Sequence, residues 1–265
     1  MKRSKIISVV KNSFHKLEKL FKKIFIDFEI ESIHDLRTEI KKLRAFLRLL
    51  NVQSKEGLKI SNEIKQFYDC IGDIRNLQLQ IENVNKFAKN STDEIPFVYL
   101  QKLNAEIELR KTDSIKLINH TSFSKNLKKI IEHFPSKLKK KTIKKFINEK
   151  LSELKQLLTN IQDDEVLHSI RKNLKDLLYT WPIIKRYHDL LPAAISKKKN
   201  IQSLTDILGD LCDKKNGVEL LEKYCSEINA NEENEALQKI MQKWREEKLN
   251  LKQQIYYYLQ LIHFR

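Results

Sequence analysis

Ile33-His34-Asp35-Leu36-Arg37-Thr38-Glu39-Ile40-Lys41-Lys42-Leu43-Arg44-Ala45-Phe46-Leu47-Arg48-Leu49-Leu50 is the stretch from which the fold can be read. Ile33, Leu36, Ile40, Leu43, Leu47 and Leu50 recur at steps of three and four, which places them on one face of an α-helix. One residue out of phase runs a second row: His34, Arg37, Lys41, Arg44 and Arg48. A step of one residue turns a helix by about 100°, so the cationic row borders the buried face instead of opposing it. Successive cations stand about 5 Å apart along the axis and the row extends about 21 Å. Charged groups at the edge of a core can be held in place by packing.

The pattern occurs twice. Leu167, Ile170, Leu174 and Leu177 repeat the apolar face, and His168, Arg171 and Lys175 repeat the adjacent row, with Lys172 beside them. Each copy is followed by a glycine segment, Phe67-Tyr68-Asp69-Cys70-Ile71-Gly72-Asp73-Ile74-Arg75-Asn76 and then Leu204-Thr205-Asp206-Ile207-Leu208-Gly209-Asp210-Leu211-Cys212-Asp213. Two signals recurring in one order with similar gaps indicate an internal duplication. A single unit over residues 1–265 is therefore expected, with similar halves at 1–134 and 135–265.

Four Gly and four Pro in 265 residues, among abundant Leu, Ile, Lys, Glu and Gln, argue for an all-α chain with short connections. The formal charge of +16 and a pI near 9.5 imply an acidic partner, because uncompensated charge of one sign repels itself. Nucleic acid, an anionic membrane and polyphosphate all satisfy that condition. Cys70, Cys212 and Cys225 are odd in number and lack metal-ligand spacing, so neither a disulfide framework nor a metal site is expected. No window approaches the roughly 20 apolar residues that span a bilayer. The chain reads as cytoplasmic and reduced.

In chain order, a first amphipathic helix is predicted from about Ser4 to Asp27, with Ile6, Val9, Val10, Phe14, Leu17, Leu20, Phe21 and Ile24 inward. Ser32 and Asp35 read as a capping box opening the second helix. Asn51 and Gly57 mark a break, Gly72 ends a third helix, and a fourth runs from Asp73 to about Phe87. A polar loop follows at 89–94, then a helix from Pro96 to His120 and another from Ser122 to Phe134. Lys137, Lys139, Lys140, Lys141, Lys144 and Lys145 form the densest basic run, on a helix reaching Leu158. Asp163, Asp164 and Glu165 supply negative charge at the start of the second-copy helix, and Pro182 breaks that copy where the first continues. A helix ending near Gly209 and a last one from Asn231 to Phe264 complete the chain.

A helix of the form apolar-His-x-apolar-Arg-x-x-apolar-Lys-x-Leu, present twice and each time followed about 40 residues later by apolar-Gly-Asp, resembles the CHAD family, the conserved histidine α-helical domain. The first copy is the better match, with His34, Arg37, Lys41, Lys42 and Arg44 of the family type. The second departs from it: Leu178 replaces a basic residue and Asp176 stands where the first copy has Lys42. Asn76 replaces the Asp that the second copy keeps as Asp213. The resemblance implies two pseudo-symmetric, antiparallel bundles of four-helix type, with basic residues along a central groove or pore. Family members bind inorganic polyphosphate, and some are fused to a triphosphatase domain that these residues are not expected to contain. Glu106-x-Glu108-x-Arg110 superficially matches that enzyme's acidic motif, but it lies in a helical stretch and is set aside.

The expected site accordingly comprises His34, Arg37, Lys41, Lys42, Arg44 and Arg48 from the first copy and His168, Arg171, Lys172 and Lys175 from the second. Lys137, Lys140, Lys141 and Lys144 are added from the basic run. Arg grips phosphate oxygens with two parallel donors, Lys supplies a compact charge, and His adds a donor whose charge follows pH. A narrow groove would admit one thin chain and exclude a duplex. The expected function is non-catalytic binding of inorganic polyphosphate, at cytoplasmic polyphosphate granules and without a cofactor. The competing reading is an RNA- or DNA-binding helical protein that uses the Lys137 to Lys145 run. An enzyme acting on phosphate chains would need clustered carboxylates for metal or a phosphate-cradling glycine loop, and neither is evident.

Overall fold

The computed structural model describes residues 1–54, 57–90, 95–118, 122–227 and 234–264. Among these, helices account for nearly all regular structure and no strand forms beyond one bridge between Lys2 and Lys137. The first half contains α1 (Arg3–Asp27), α2 (Ile30–Asn51), α3 (Asn62–Asn90), α4 (Phe97–Ile118) and α5 (Phe123–Glu132). The second contains α6 (Lys140–Leu157), α7 (Asp164–Tyr179), the short α8 (Trp181–Ile184), α9 (Lys198–Glu227) and α10 (Asn234–Gln260), with three 3₁₀ turns between them.

The order of neighbours recurs in the two halves. α1 packs on α2, α2 on α3 and α3 on α4, while α6 packs on α7, α7 on α9 and α9 on α10. The two series meet where α2 crosses to α7 and α3 to α9. The apolar rows read from sequence form the centre of each series: Ile33, Leu36, Ile40, Leu43, Leu47 and Leu50 on α2, and Leu167, Ile170, Leu174 and Leu177 on α7, are all buried. Truncating one such leucine to alanine costs roughly 2–5 kcal/mol. Ala45, Phe46 and Leu49 lie off the α2 row and are buried too, because α6 and α7 cover that side of the helix. Arg37, Lys41, Arg44 and Arg48 are thereby brought to a seam between α2 and α7.

The helix boundaries differ from expectation in three places. α2 begins at Ile30, behind Glu29, and Ser32 is buried inside its first turn, donating its hydroxyl to Glu29 Oε2 at 2.9 Å. Phe28 adopts the left-handed conformation (φ 49°), so the chain reverses abruptly and the helix starts earlier; Asp35 is an exposed residue of its second turn and caps nothing. Gly72 and Gly209 do not end helices: α3 and α9 run through them, and neither glycine has a positive φ. On α1, Val9 is exposed and Leu20 half-buried, whereas the other six expected core residues are buried. The break before Pro182 occurs as expected, with Thr180 closing α7 by donating its hydroxyl to Asp176 O at 2.7 Å. The loop expected at 89–94, the helix end at His120 and the helix start at Asn231 fall wholly or partly outside the described residues.

Candidate functional site

A cleft of about 860 Å³ lies between α2 and α7 and is bounded by parts of α3, α6 and α9. Eight of the expected site residues line it: Arg37, Lys41, Arg44 and Arg48 from α2, and His168, Arg171, Lys172 and Lys175 from α7. Each of these two helices presents one edge, because on both the cationic row sits one residue out of phase with the buried row.

Arg37 reaches across to α3. Its Nη1 donates to the backbone carbonyl of Tyr68 at 2.7 Å, and its guanidinium carbon lies 4.3 Å from the centre of the Tyr68 ring. That carbonyl is accessible because Gly72, one turn on, has no side chain; a Cβ there would lie 2.1 Å from Arg37 Nη1. Arg171 repeats the approach against Gly209 on α9, where a Cβ would lie 3.2 Å from its Nη2. Arg171 Nε is buried and donates to no acceptor among the described residues. A buried unsatisfied donor costs about 1–3 kcal/mol, so this guanidinium is poised for an acceptor from outside the chain.

Lys41 lies between these two arginines. Burial, reinforced by the charges of Arg37, Arg171 and Lys175, lowers its pKa to about 8. Lys175 is also lowered, chiefly by burial, although Asp206 opposes the shift from 3.5 Å. The far end of the cleft is partly neutralised: the buried Asp176 carboxylate pairs with Arg48 and with Lys150 Nζ at 3.4 Å, and Lys150 also meets Glu153 Oε2 at 2.7 Å. His168 Nδ1 stands 3.5 Å from Cys212 Sγ. Burial and then the Lys172 and Arg171 charges hold the imidazole below its usual pKa, while burial pushes the Cys212 thiol up. The Asp213 carboxyl is raised by burial against the opposing effect of Arg171.

Six expected residues lie elsewhere. His34 and Lys42 are exposed on α2 and do not line the cleft. Lys137 precedes α6, and Lys140, Lys141 and Lys144 are exposed on its first turns, Lys144 with Nζ 5.9 Å from the Tyr187 ring centre. None of these four lysines has an ion-pair partner among the described residues. Conversely, the sequence reading missed Lys150, Tyr68, Asn76 and Asp213, all of which line the cleft. Tyr68, Asn76 and Asp213 belong to the quoted glycine segments, so their position was signalled but not their direction. Lys150 had no signal, since α6 carries no copy of the repeated motif. Glu106 and Arg110 form an ion pair at 2.8 Å on α4, outside this cleft.

The arrangement suits a multiply charged anion. Among the described residues, no three His, Cys, Asp or Glu side chains are disposed to hold a metal ion, and no helix is long and apolar enough to cross a membrane. The sequence model of the CHAD domain matches residues 9–252. The fold is similar to the crystal structure of the CHAD domain from the plant Ricinus communis, with a TM-score of 0.70 at 12% identity over 99% of this chain and 93% of that one. No curated protein sequence matches.

Proposed function

This chain belongs to the CHAD family, which is associated with inorganic polyphosphate, and from that premise we propose that it binds the linear polyphosphate anion, without cleaving it, in the cleft between α2 and α7. One observation carries the reading: Arg37, Lys41, Arg171 and Lys175 line one cleft, where burial, reinforced by the other three charges, lowers the Lys41 pKa to about 8. Like charges gathered in a half-shielded seam oppose folding, and a bound polyanion relieves them. Arg171, with its unpartnered Nε, supplies the strongest contact, and Lys41 and Lys175 supply charge along the chain. The carboxylates Asp176 and Glu153 are occupied by cations of the cleft, which fits binding rather than metal-assisted hydrolysis. The reading places the protein in the reducing cytoplasm, at polyphosphate deposits.

Counterion release makes such binding steeply dependent on salt. Titration with long-chain polyphosphate across a salt series should show tight binding at low salt that weakens as salt rises. The double variant Arg37→Glu, Lys41→Glu should bind at least about a hundredfold more weakly, which is ~2.8 kcal/mol at 1.4 kcal/mol per tenfold. Unchanged affinity in that variant would refute the site. The exposed, unpaired Lys137, Lys140 and Lys141 favour nucleic acid as a second reading. Displacement of polyphosphate by tRNA at equal charge concentration would decide for it, and phosphate release with magnesium would decide for an enzyme.

A further inference from the structure

The cleft narrows at the α3–α9 seam. Asn76, Asp213 and Asn216 line its inner end and also line a constriction of about 10 Å³ between α3 and α9. Beyond that constriction lies a second cavity of about 490 Å³, reached past Asn76 and Asn216. The constriction itself, at about 10 Å³, holds about one water and no phosphate group. Gln80 keeps it narrow: its buried Nε2 donates to Gly217 O at 3.3 Å across the α3–α9 seam and to Tyr99 Oη at 2.8 Å. Gly217 lets the helices approach, since a Cβ there would lie 2.9 Å from the Trp244 ring and 3.0 Å from Gln80 Oε1.

The charge also changes across the constriction. Among the described residues the cleft is lined by eight Arg and Lys side chains against three carboxylates. The far cavity has Asp73, Glu106, Glu219 and Glu227 against three cations, and those cations are ion-paired to these same acids. Asp213 stands at the boundary. Its carboxylate makes no hydrogen bond or ion pair among the described residues, unlike Asp176 and Glu153, although Arg171, Arg75 and Lys41 act on it from a distance.

Resting on the reading that the cleft holds a phosphate chain, we propose that the site is a blind groove: the chain enters from the side, lies along α2 and α7, and is turned back from the α3–α9 seam by Asp213. A polymer that enters sideways needs no free end, whereas one that threads between the halves does.

The test uses the full chain and linear polyphosphate of defined length, free or blocked at both ends by a bulky protein group. Side entry predicts dissociation constants equal within about twofold, a difference under about 0.4 kcal/mol. Weakening of about tenfold or more on blocking, or complexes that cannot dissociate when the ends are blocked after binding, would overturn the proposal. Asp213→Asn removes the repelling charge and should tighten binding of the free chain by about threefold to tenfold, comparable to one partly shielded charge pair. Unchanged or weaker affinity, in a variant with the parent's thermal melt, would remove Asp213 from its assigned role. Absence of binding by the unblocked chain would overturn the parent reading, and this proposal with it. The two failures are distinguishable because the blocked arm matters only once the free chain binds.

Discussion

The guanidinium of Arg37 occupies the space that a side chain at Gly72 would fill, with Nη1 2.1 Å from where a Cβ would stand. A glycine inside an exposed helix costs about 1 kcal/mol relative to alanine. Here it opens the Tyr68 carbonyl to Arg37 and fixes the guanidinium at the mouth of the cleft. Arg171 and Gly209 stand in the same relation at a looser 3.2 Å, so the two halves share a device that is tight in the first and slack in the second.

Replacing either glycine separates stability from binding. Gly72→Ala must expel the Arg37 fork; the lost hydrogen bond, worth about 1.5–3 kcal/mol, is partly offset by about 1 kcal/mol of helix propensity. A small net destabilisation and roughly tenfold weaker polyphosphate binding are expected. Gly209→Ala needs only a slight movement of Arg171, so its melt should be unchanged or improved and its affinity should fall less. Denaturant unfolding beside a binding titration of both variants checks the pair, and equal losses in the two would contradict it.

Asp176 predicts effects of opposite sign. The buried carboxylate neutralises Arg48 and Lys150, so Asp176→Asn should destabilise the fold by about 1–3 kcal/mol, the cost of a broken buried polar contact. The same change frees two cations in the cleft, so affinity for polyphosphate should rise. A variant that loses both stability and affinity would show that Asp176 positions the cations instead of masking them.

Lys41 sets the pH response. Its folded pKa of about 8 lies below the ordinary lysine value. Below pH 8 the side chain is charged in folded and unfolded chains alike, and its burial weakens the fold in full. Above pH 8 the folded form gives up the proton first, and the penalty is relieved as pH approaches the unfolded value. Binding follows the reverse course: polyphosphate needs the ammonium, so affinity should fall as pH rises through 8 and complex formation should take up protons there. Calorimetry at pH 8 in buffers of different ionisation enthalpy measures the uptake, and Lys41→Arg, which stays charged, should abolish both effects.

The all-helical architecture and both central helices were legible because burial is written into sequence at a period of 3.6 residues. The side of the row that meets the other half was not. His34 and Arg37 share an apparent stripe, yet only Arg37 lines the cleft, since three residues of drift carry His34 past the end of the α2–α7 crossing. Gly72 and Gly209 were misread as helix stops because a glycine needed for side-chain clearance looks, in one dimension, like one needed for a turn. Lys150 was invisible for another reason: it reaches Asp176 from α6, the preceding helix, which carries no copy of the motif, and only packing brings the two together.

The two repeat histidines should therefore behave differently, although the motif treats them alike. His34 is exposed and outside the cleft, and His34→Ala should leave affinity within about twofold, or 0.4 kcal/mol. His168 lines the cleft beside Arg171 and Lys172, half-buried, with its pKa held below the usual histidine value. It gains its proton only in more acidic solution than an ordinary histidine needs, so its attraction for phosphate is present at low pH and lost as pH rises toward neutrality. His168→Ala should then weaken binding several-fold, about 1 kcal/mol, near pH 5.5 and scarcely at pH 8. Titrating each variant at both pH values checks this. An equal deficit in His34→Ala and His168→Ala at pH 5.5 would return the site to the motif as read in sequence and away from the cleft.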